Sequence, residues 1–203
     1  MSSKQGSNTY FISDTHFYHR NILEYSGRPF SSVEEMHKTI IRNWNSQVRD
    51  QDTVIVVGDF SFGTNAETKG ILDQLKGTKI LVKGNHDKNG LAGFDFVCET
   101  MTLKIADEFV LVCHYPYKHK WYKSLYNKIK HFFKGKKQFR RRHDWYYPED
   151  TGGFLLNGHS HSKLKVQGRA IHVGVDAWNF KPIPLQKIAD IIVNIKKGTY
   201  VER

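Results

Sequence analysis

The sequence is poor in cysteine, has no long apolar run and, across one segment, has no acidic residue at all. Only Cys98 and Cys113 occur among 203 residues, which excludes a disulfide scaffold and a cysteine-rich zinc module. No stretch approaches the roughly 18 apolar residues that a membrane-spanning helix needs. Residues 1–8 lack the apolar core of a secretory signal. We therefore expect a cytoplasmic protein, in a compartment where thiols stay reduced.

The composition is that of a folded protein. Hydrophobic residues make up 39% of the chain and charged residues 25%, which excludes a disordered or collagen-like chain. The length fits one domain over residues 1–203, with room for an insertion.

The excess of positive charge lies in a single segment. Residues 118–143 contain eleven of the 31 Lys and Arg residues and no acid, so the other 20 bases balance the 20 acids elsewhere. The net charge of +11 therefore belongs to this basic segment. We expect a basic, aromatic-rich insertion at 117–148 within an otherwise ordinary domain.

Short apolar runs alternate with helical patterns in the first half of the chain. The runs that predict strands are 9–13, 53–57, 79–82, 109–113, 153–156 and 170–175. A capping box at Ser32 and Glu35 begins one helix, and a second is expected over 66–76 with Gly77 at its end. This order predicts a largely parallel sheet, followed by a partly antiparallel second half. Residues 188–195 fit a strand or a helix equally well.

Polar motifs stand where these predicted strands end. They are Asp14-Thr-His16, Gly58-Asp59, Gly84-Asn85-His86-Asp87, His114 and Gly158-His159-Ser-His161. The carboxyl ends of strands in open α/β sheets lie at one edge, so these loops are expected to converge. Imidazole and carboxylate ligands suit Zn, Mn, Fe or Ni, and the absence of thiolate argues against a structural zinc. The glycines allow the backbone to pass close to a crowded site.

The ordered set of motifs resembles the calcineurin-like metallophosphoesterases. The flanks 13–17 and 173–179 also look like small bacterial and phage members of that family. The resemblance implies an α/β fold, an αββα sandwich of two mixed β-sheets flanked by helices. It also implies a site for two divalent transition metal ions (Mn, Fe, Ni or Zn, with Mn favoured for assay).

The same resemblance assigns roles residue by residue. One metal ion would bind Asp14, His16, Asp59 and His161, and the other would bind Asp59, Asn85, His114 and His159. His86 would protonate the leaving oxygen, and Asp87 would orient His86 by accepting its other ring N–H.

Charge counting agrees with a phosphate substrate. Two divalent ions, the carboxylates of Asp14 and Asp59 and a bridging hydroxide leave one net positive charge. Two such ions activate a bridging water for in-line attack on phosphorus, so no covalent intermediate is expected. The nucleophile elbow of acyl hydrolases and the phosphate-binding P-loop are both absent from the sequence.

Some positions leave alternatives open. Phe62 stands where the protein-phosphatase branch has a second Asp, which weakens a protein-phosphatase interpretation. His19 and Arg20 either line the phosphate pocket or are solvated. Asp176 and Asn179 either support the site or belong to a capped turn.

The basic segment has three interpretations. Aromatic residues at helical spacing from Trp121 onward predict an amphipathic helix with a basic opposite face. It would bind a nucleic acid backbone, lie on a membrane surface, or simply pack on the domain with its charges solvated. The residues expected to contact nucleic acid are Lys136, Lys137, Arg140, Arg141 and Arg142.

The expected activity is hydrolysis of a phosphodiester of the nucleotide or nucleic acid class, with His86 as general acid. One alternative is a phosphohydrolase that cleaves a lipid-linked or nucleotide pyrophosphate at a membrane surface. Another is a metal-binding scaffold without catalysis, although all seven ligand positions and His86 are present.

Overall fold

Two five-stranded sheets form the centre of the protein, whose computed structural model describes residues 6–87, 92–118 and 147–202. The first sheet contains β1 (Thr9–Ile12), β2 (Thr53–Val57), β3 (Thr78–Val82), β4 (Phe96–Cys98) and β10 (Ile183–Pro184). Its order is β10-β1-β2-β3-β4; β1 to β4 run parallel and β10 runs antiparallel to β1. The predicted parallel sheet is therefore confirmed.

The second sheet is mixed. It contains β5 (Met101–Ile105), β6 (Glu108–Val112), β7 (Phe154–Asn157), β8 (Val166–Gln167) and β9 (Ala170–His172), in the order β5-β6-β7-β9-β8. The β6, β7 and β9 strands run parallel, while β5 and β8 at the edges run antiparallel to their neighbours. The second half is partly antiparallel, as its sequence predicts.

Helices cover the sheets. They are α1 (Ile22–Tyr25), α2 (Val33–Asn45), α3 (Asn65–Leu72) and α4 (Leu185–Lys197), with a short 3₁₀ turn at Val175–Ala177. The segment at 188–195 is thus helical, and Gly198 ends that helix in the left-handed conformation. Within the described ranges, no helix has the length and apolar character needed to cross a bilayer.

Alternating side chains of β1 divide the core into two layers. Phe11 points between the sheets, where it packs with residues such as Val110 and Phe154 of the second sheet. Ile12 points the opposite way and joins a cluster with Trp44 of α2. Four of these five side chains are fully buried, and the fifth, Phe154, is nearly so. An αββα sandwich results, with both faces of the first sheet buried.

Helix ends differ in detail from the expectation. Ser32 caps α2 by accepting the N–H of Glu35, but the Glu35 carboxylate bonds Ser31 instead of closing the box on Ser32. The α3 helix ends at Leu72, four residues earlier than predicted. The reason is local, because the N–H groups of residues 74 and 75 bond carbonyls three residues back and tighten the chain into a turn.

The predicted insertion at 117–148 lies, apart from its two ends, outside the described residues. At those ends Lys118 forms an ion pair with Glu149 at 2.9 Å. The expectations for the amphipathic helix and for residues 136–142 therefore stay predictions.

Candidate metal centre

The loops that follow β1 and β2 are joined by backbone hydrogen bonds. Asp14 N–H donates to the Gly58 carbonyl at 3.0 Å, and His16 N–H donates to the Asp59 carbonyl at 3.1 Å. The hydroxyl of Ser13 reaches both the Asp14 carboxylate and the Val57 carbonyl. Two parallel neighbouring strands thus bring their predicted ligands to one edge of the sheet.

The local backbone is unusual at the predicted ligands. Five of them have positive φ angles although none is glycine: Asp14 (57°), His16 (50°), Asp59 (53°), His159 (70°) and His161 (50°). This left-handed conformation costs a non-glycine residue about 1–3 kcal/mol and clusters at functional sites. The chain adopts it repeatedly here because it turns the side chains toward a common centre.

Glycines make room for this crowding, as the sequence predicts. A Cβ at Gly84 would overlap the Asp59 carboxylate, and one at Gly158 would overlap Ser13 and Asp14. Gly58 also has a positive φ of 82°, and a Cβ there would strike the His114 ring. The backbone passes too close to the acidic and imidazole groups for any side chain to fit.

The seven predicted ligands come together in two adjoining groups. Asp14, His16 and His161 form one, and Asp59, His114 and His159 form the other; within each, candidate ligand atoms lie within 4.8 Å of one another. Asp59 joins the groups, because its Oδ2 lies 3.7 Å from His16 Nε2 and 3.3 Å from His114 Nε2. Asn85 Oδ1 lies 3.0 Å from His159 Nδ1.

Each histidine of the cluster has one ring nitrogen occupied by a protein partner. His114 Nδ1 bonds the Val57 carbonyl at 2.9 Å, and His161 Nδ1 lies 3.1 Å from Asp176 Oδ2. His159 Nε2 bonds the Tyr147 hydroxyl at 2.8 Å. His16 Nδ1 lies 3.1 Å from His19 Nδ1. The second nitrogen of each ring is left toward the cluster, which is the arrangement of metal-binding histidines.

The donor set fits a pair of divalent cations. His16 Nε2 is buried and has no hydrogen-bond partner in the described part of the chain, an arrangement that a cation would satisfy. The two groups offer imidazole nitrogens and carboxylate oxygens, the ligands that zinc, manganese, iron and nickel accept.

Burial and mutual charge set the protonation of the imidazoles. Burial lowers the pKa of His16. Burial, together with the nearby charge of His114, lowers the pKa of His159 to about 4. Both imidazoles are therefore neutral at pH 7. Burial would also lower the pKa of His114, but its contact with Asp59 outweighs this effect and raises the pKa to about 9. The same partnership holds the pKa of Asp59 low despite its burial.

A buried ion pair behind the first group was not foreseen from the sequence. Arg28 donates to both carboxylate oxygens of Asp176 at 2.9 Å, and also to the backbone carbonyls of Asp14 and Thr15. Asp176 in turn contacts His161. Asp176 therefore lies where its supporting alternative predicts, whereas Asn179 is exposed in a turn with a positive φ of 53°.

Asp87 does not orient His86 as the resemblance implies. Its Oδ2 accepts the backbone N–H groups of Asp59 and Gly84, at 2.7 and 2.8 Å, and its Oδ1 accepts that of Phe60 at 2.9 Å. Burial raises the pKa of this carboxyl group. Asp87 thus ties the third motif to the second and leaves the ring of His86 to other contacts.

An open cleft of about 480 Å³ lies beside the first group. It is lined by His16, His19, Ile22, Tyr25, Ser26, Phe62, His86, Ser160 and His161. His19 therefore faces the cleft, as one of its two alternatives predicts, whereas Arg20 is exposed and is not among the lining residues. Cations, a protonatable imidazole and an apolar wall would meet in this cleft.

The fold has two layers of β-sheet with flanking helices, and a paired cluster of ligands lies at the strand ends. These two features together define a metal-dependent phosphoester hydrolase. The family model for calcineurin-like phosphoesterases matches residues 7–193, and the chain belongs to that family. This confirms the resemblance and the fold class inferred from the motifs.

Relatives share nearly the whole chain. An uncharacterized protein of Methanocaldococcus jannaschii is 32% identical over 201 residues, covering 95% of this chain and 93% of its own. The gene 66 protein of Mycobacterium phage L5 is 29% identical, covering 93% and 96%. A crystal structure of an Aquifex aeolicus protein of unknown function has a TM-score of 0.64 at 27% identity and covers 91% of this chain and 99% of its own.

Metal loading is expected to release a proton from His114. Its pKa of about 9 keeps the imidazole protonated at neutral pH, and only the neutral ring can be a ligand. Apparent affinity of the second group should therefore rise about tenfold per pH unit up to about pH 9 and then level off. Calorimetric Mn²⁺ titrations in buffers of different ionisation enthalpy measure the protons released. Release of no proton near pH 7 would contradict the assignment.

The Tyr147 hydroxyl is expected to strengthen metal binding by holding His159. Tyr147→Phe removes this contact, so one of the two Mn²⁺ binding steps should weaken about tenfold, as loss of such partners usually does. Calorimetry measures both steps. Tyr117→Phe is the matched control, because that hydroxyl donates to the Gly153 carbonyl and touches no predicted ligand. Equal affinities in the two variants would show that Tyr147 has no such role.

Proposed function

We propose that the protein hydrolyses a phosphodiester of the nucleotide or nucleic acid class, with two divalent ions held by the seven clustered residues. One ion would be held by Asp14, His16, Asp59 and His161. The other ion would be held by Asp59, Asn85, His114 and His159. Bound there, the ions would lower the pKa of water and neutralise charge on phosphate oxygens, which favours direct in-line displacement.

The observation that carries the proposal is the position of His86 beside the bridging carboxylate. Its Nε2 lies 3.9 Å from Asp59 Oδ2, and its side chain is 43% exposed at the cleft. His16 and His114 are buried, and His159 and His161 are less exposed than His86. His86 is therefore the imidazole of the site best able to meet a leaving group that is entering solvent. His86 would donate its Nε2 proton to the leaving oxygen.

The walls of the cleft favour a diester over a monoester. Ile22 and Tyr25 present apolar surface next to His16 and His161. A diester carries a second organic group that such a wall can cover, whereas a monoester leaves it unfilled and brings an additional negative charge. Phe62 also removes the acid that the protein-phosphatase branch has at this position.

His19 extends the polar side of the cleft. Its Nδ1 contacts His16 Nδ1, so a cation on His16 Nε2 would leave His16 as the donor and His19 with its proton on Nε2. This second N–H would then be available to a phosphate oxygen. The role follows from the tautomers and needs no charge on either ring.

A comparison of two chromogenic esters tests the substrate class. With Mn²⁺, kcat/KM for bis-p-nitrophenyl phosphate should exceed that for p-nitrophenyl phosphate by about tenfold or more, corresponding to about 1.4 kcal/mol in transition-state binding. The reverse order would identify a monoesterase. No turnover of either ester with Mn²⁺, Ni²⁺, Fe²⁺ or Zn²⁺ would indicate a scaffold without catalysis.

The general-acid role predicts a leaving-group effect. His86→Ala should lower kcat by about 10²- to 10⁴-fold for the methyl ester of thymidine 5′-monophosphate, whose alkoxide needs a proton to leave. The p-nitrophenyl ester of the same nucleotide should lose far less, since p-nitrophenolate leaves unprotonated. Calorimetry should show that both metal ions still bind. Equal losses for the two esters would exclude proton donation by His86.

A further inference from the structure

Within the part of the chain that the structure describes, the ring of His86 has no hydrogen-bonded partner of the kind expected for a general acid. Its backbone N–H donates to Asp59 Oδ1 at 2.9 Å, which fixes the start of the side chain but not the ring. Asp87 is directed to backbone N–H groups. Across the described ranges, no hydrogen bond to either ring nitrogen of His86 is formed. Asp59 Oδ2, at 3.9 Å from His86 Nε2, is too distant for a hydrogen bond. Packing by neighbouring rings is the contact that remains to restrict the imidazole.

Phe62 is in a position to supply that limit. Its ring centroid lies 4.5 Å from that of His86, at an interplanar angle of 37°. It also stacks on His19 at 3.9 Å and 19°, and on His16 at 5.3 Å and 26°. One apolar ring therefore contacts three imidazoles of the site.

The backbone holds Phe62 firmly in this place. Its N–H donates to the Phe17 carbonyl at 2.8 Å, and Phe17 forms a parallel bridge with Ser61. The Phe62 side chain is nevertheless partly solvent-accessible, because it forms part of the cleft wall. A ring that is anchored at its backbone and partly exposed can pack against the His86 ring without closing the cleft.

We propose that Phe62 is the positioning residue of His86, and that it orients the imidazole by ring packing instead of by a hydrogen bond. The proposal rests on the general-acid role given to His86 in the proposed function. Phe62 occupies the position of the second Asp in the protein-phosphatase branch, so an apolar ring here replaces a carboxylate. A carboxylate would add negative charge beside the phosphate, whereas the phenyl ring restricts His86 without doing so.

Phe62→Leu tests this role because it keeps an apolar side chain and removes the flat ring. Aromatic pairs of this kind are worth about 2- to 13-fold in an equilibrium, so the productive orientation of His86 should become less populated by that factor. We expect kcat for the methyl ester of thymidine 5′-monophosphate to fall about 3- to 10-fold with KM nearly unchanged. The rate for the p-nitrophenyl ester should fall much less than the rate for the methyl ester, because p-nitrophenolate leaves without a proton.

Three controls separate positioning from other effects. Phe62→Tyr keeps the ring and should restore the rate on the methyl ester. Phe62→Leu combined with His86→Ala should be no slower than His86→Ala alone, since the two changes act through one imidazole. Phe109→Leu alters an exposed phenylalanine of β6 away from the cleft and should change neither ester.

The outcomes distinguish this proposal from the proposed function. If His86→Ala shows the leaving-group effect and Phe62→Leu does not, only the positioning role is wrong. If Phe62→Leu slows both esters equally, raises KM or weakens Mn²⁺ binding in calorimetry, Phe62 is a substrate wall or a support of His16, and the proposal is overturned. If His86→Ala shows no leaving-group effect, the general-acid role fails and the positioning role fails with it.

Discussion

An imidazole can face a cation with one nitrogen only if its other nitrogen is satisfied, and this constraint organises the site. Four different partners meet it: the Val57 carbonyl for His114, Asp176 for His161, the Tyr147 hydroxyl for His159 and His19 for His16. Each partner selects one tautomer and one ring orientation. The partners come from distant parts of the chain, so the cluster depends on the whole sandwich and not on its motifs alone.

The backbone meets a related constraint. Five predicted ligands adopt the left-handed conformation, and three glycines have no space for a Cβ. Together they bring charged groups into contact with one another. Such a loop would not hold this shape alone, because each left-handed residue is disfavoured by about 1–3 kcal/mol. Asp87 supplies part of the missing stability: its buried carboxylate accepts N–H groups from two loops. It acts on the shape of the site and not on the proton of His86.

The sequence predicts the strands and the clustered ligands well, since both leave regular marks. Apolar runs locate six strands, and the polar motifs stand directly after them. Among the described residues, the strands β4, β5, β8 and β10 are not predicted. In β5 the apolar and polar residues alternate, whereas the predicted strands are marked by continuous apolar runs. Arg28 and Tyr147 leave no such mark, because an isolated loop residue belongs to no period or motif. Their roles depend on tertiary contacts with residues far along the chain.

In our proposal, Phe62 orients His86 by ring packing, at the position where the protein-phosphatase branch has an acid. A hydrogen bond directs a ring through one nitrogen, whereas packing restricts the whole plane and leaves both nitrogens unbonded. At His86 such packing would leave Nε2 free to face a substrate oxygen and would add no negative charge near a phosphate. The same ring also contacts His19 and His16. A single apolar side chain can therefore link the predicted metal ligand His16, the predicted phosphate contact His19 and the predicted acid His86. It does so by packing, and ionic strength does not screen a packing contact.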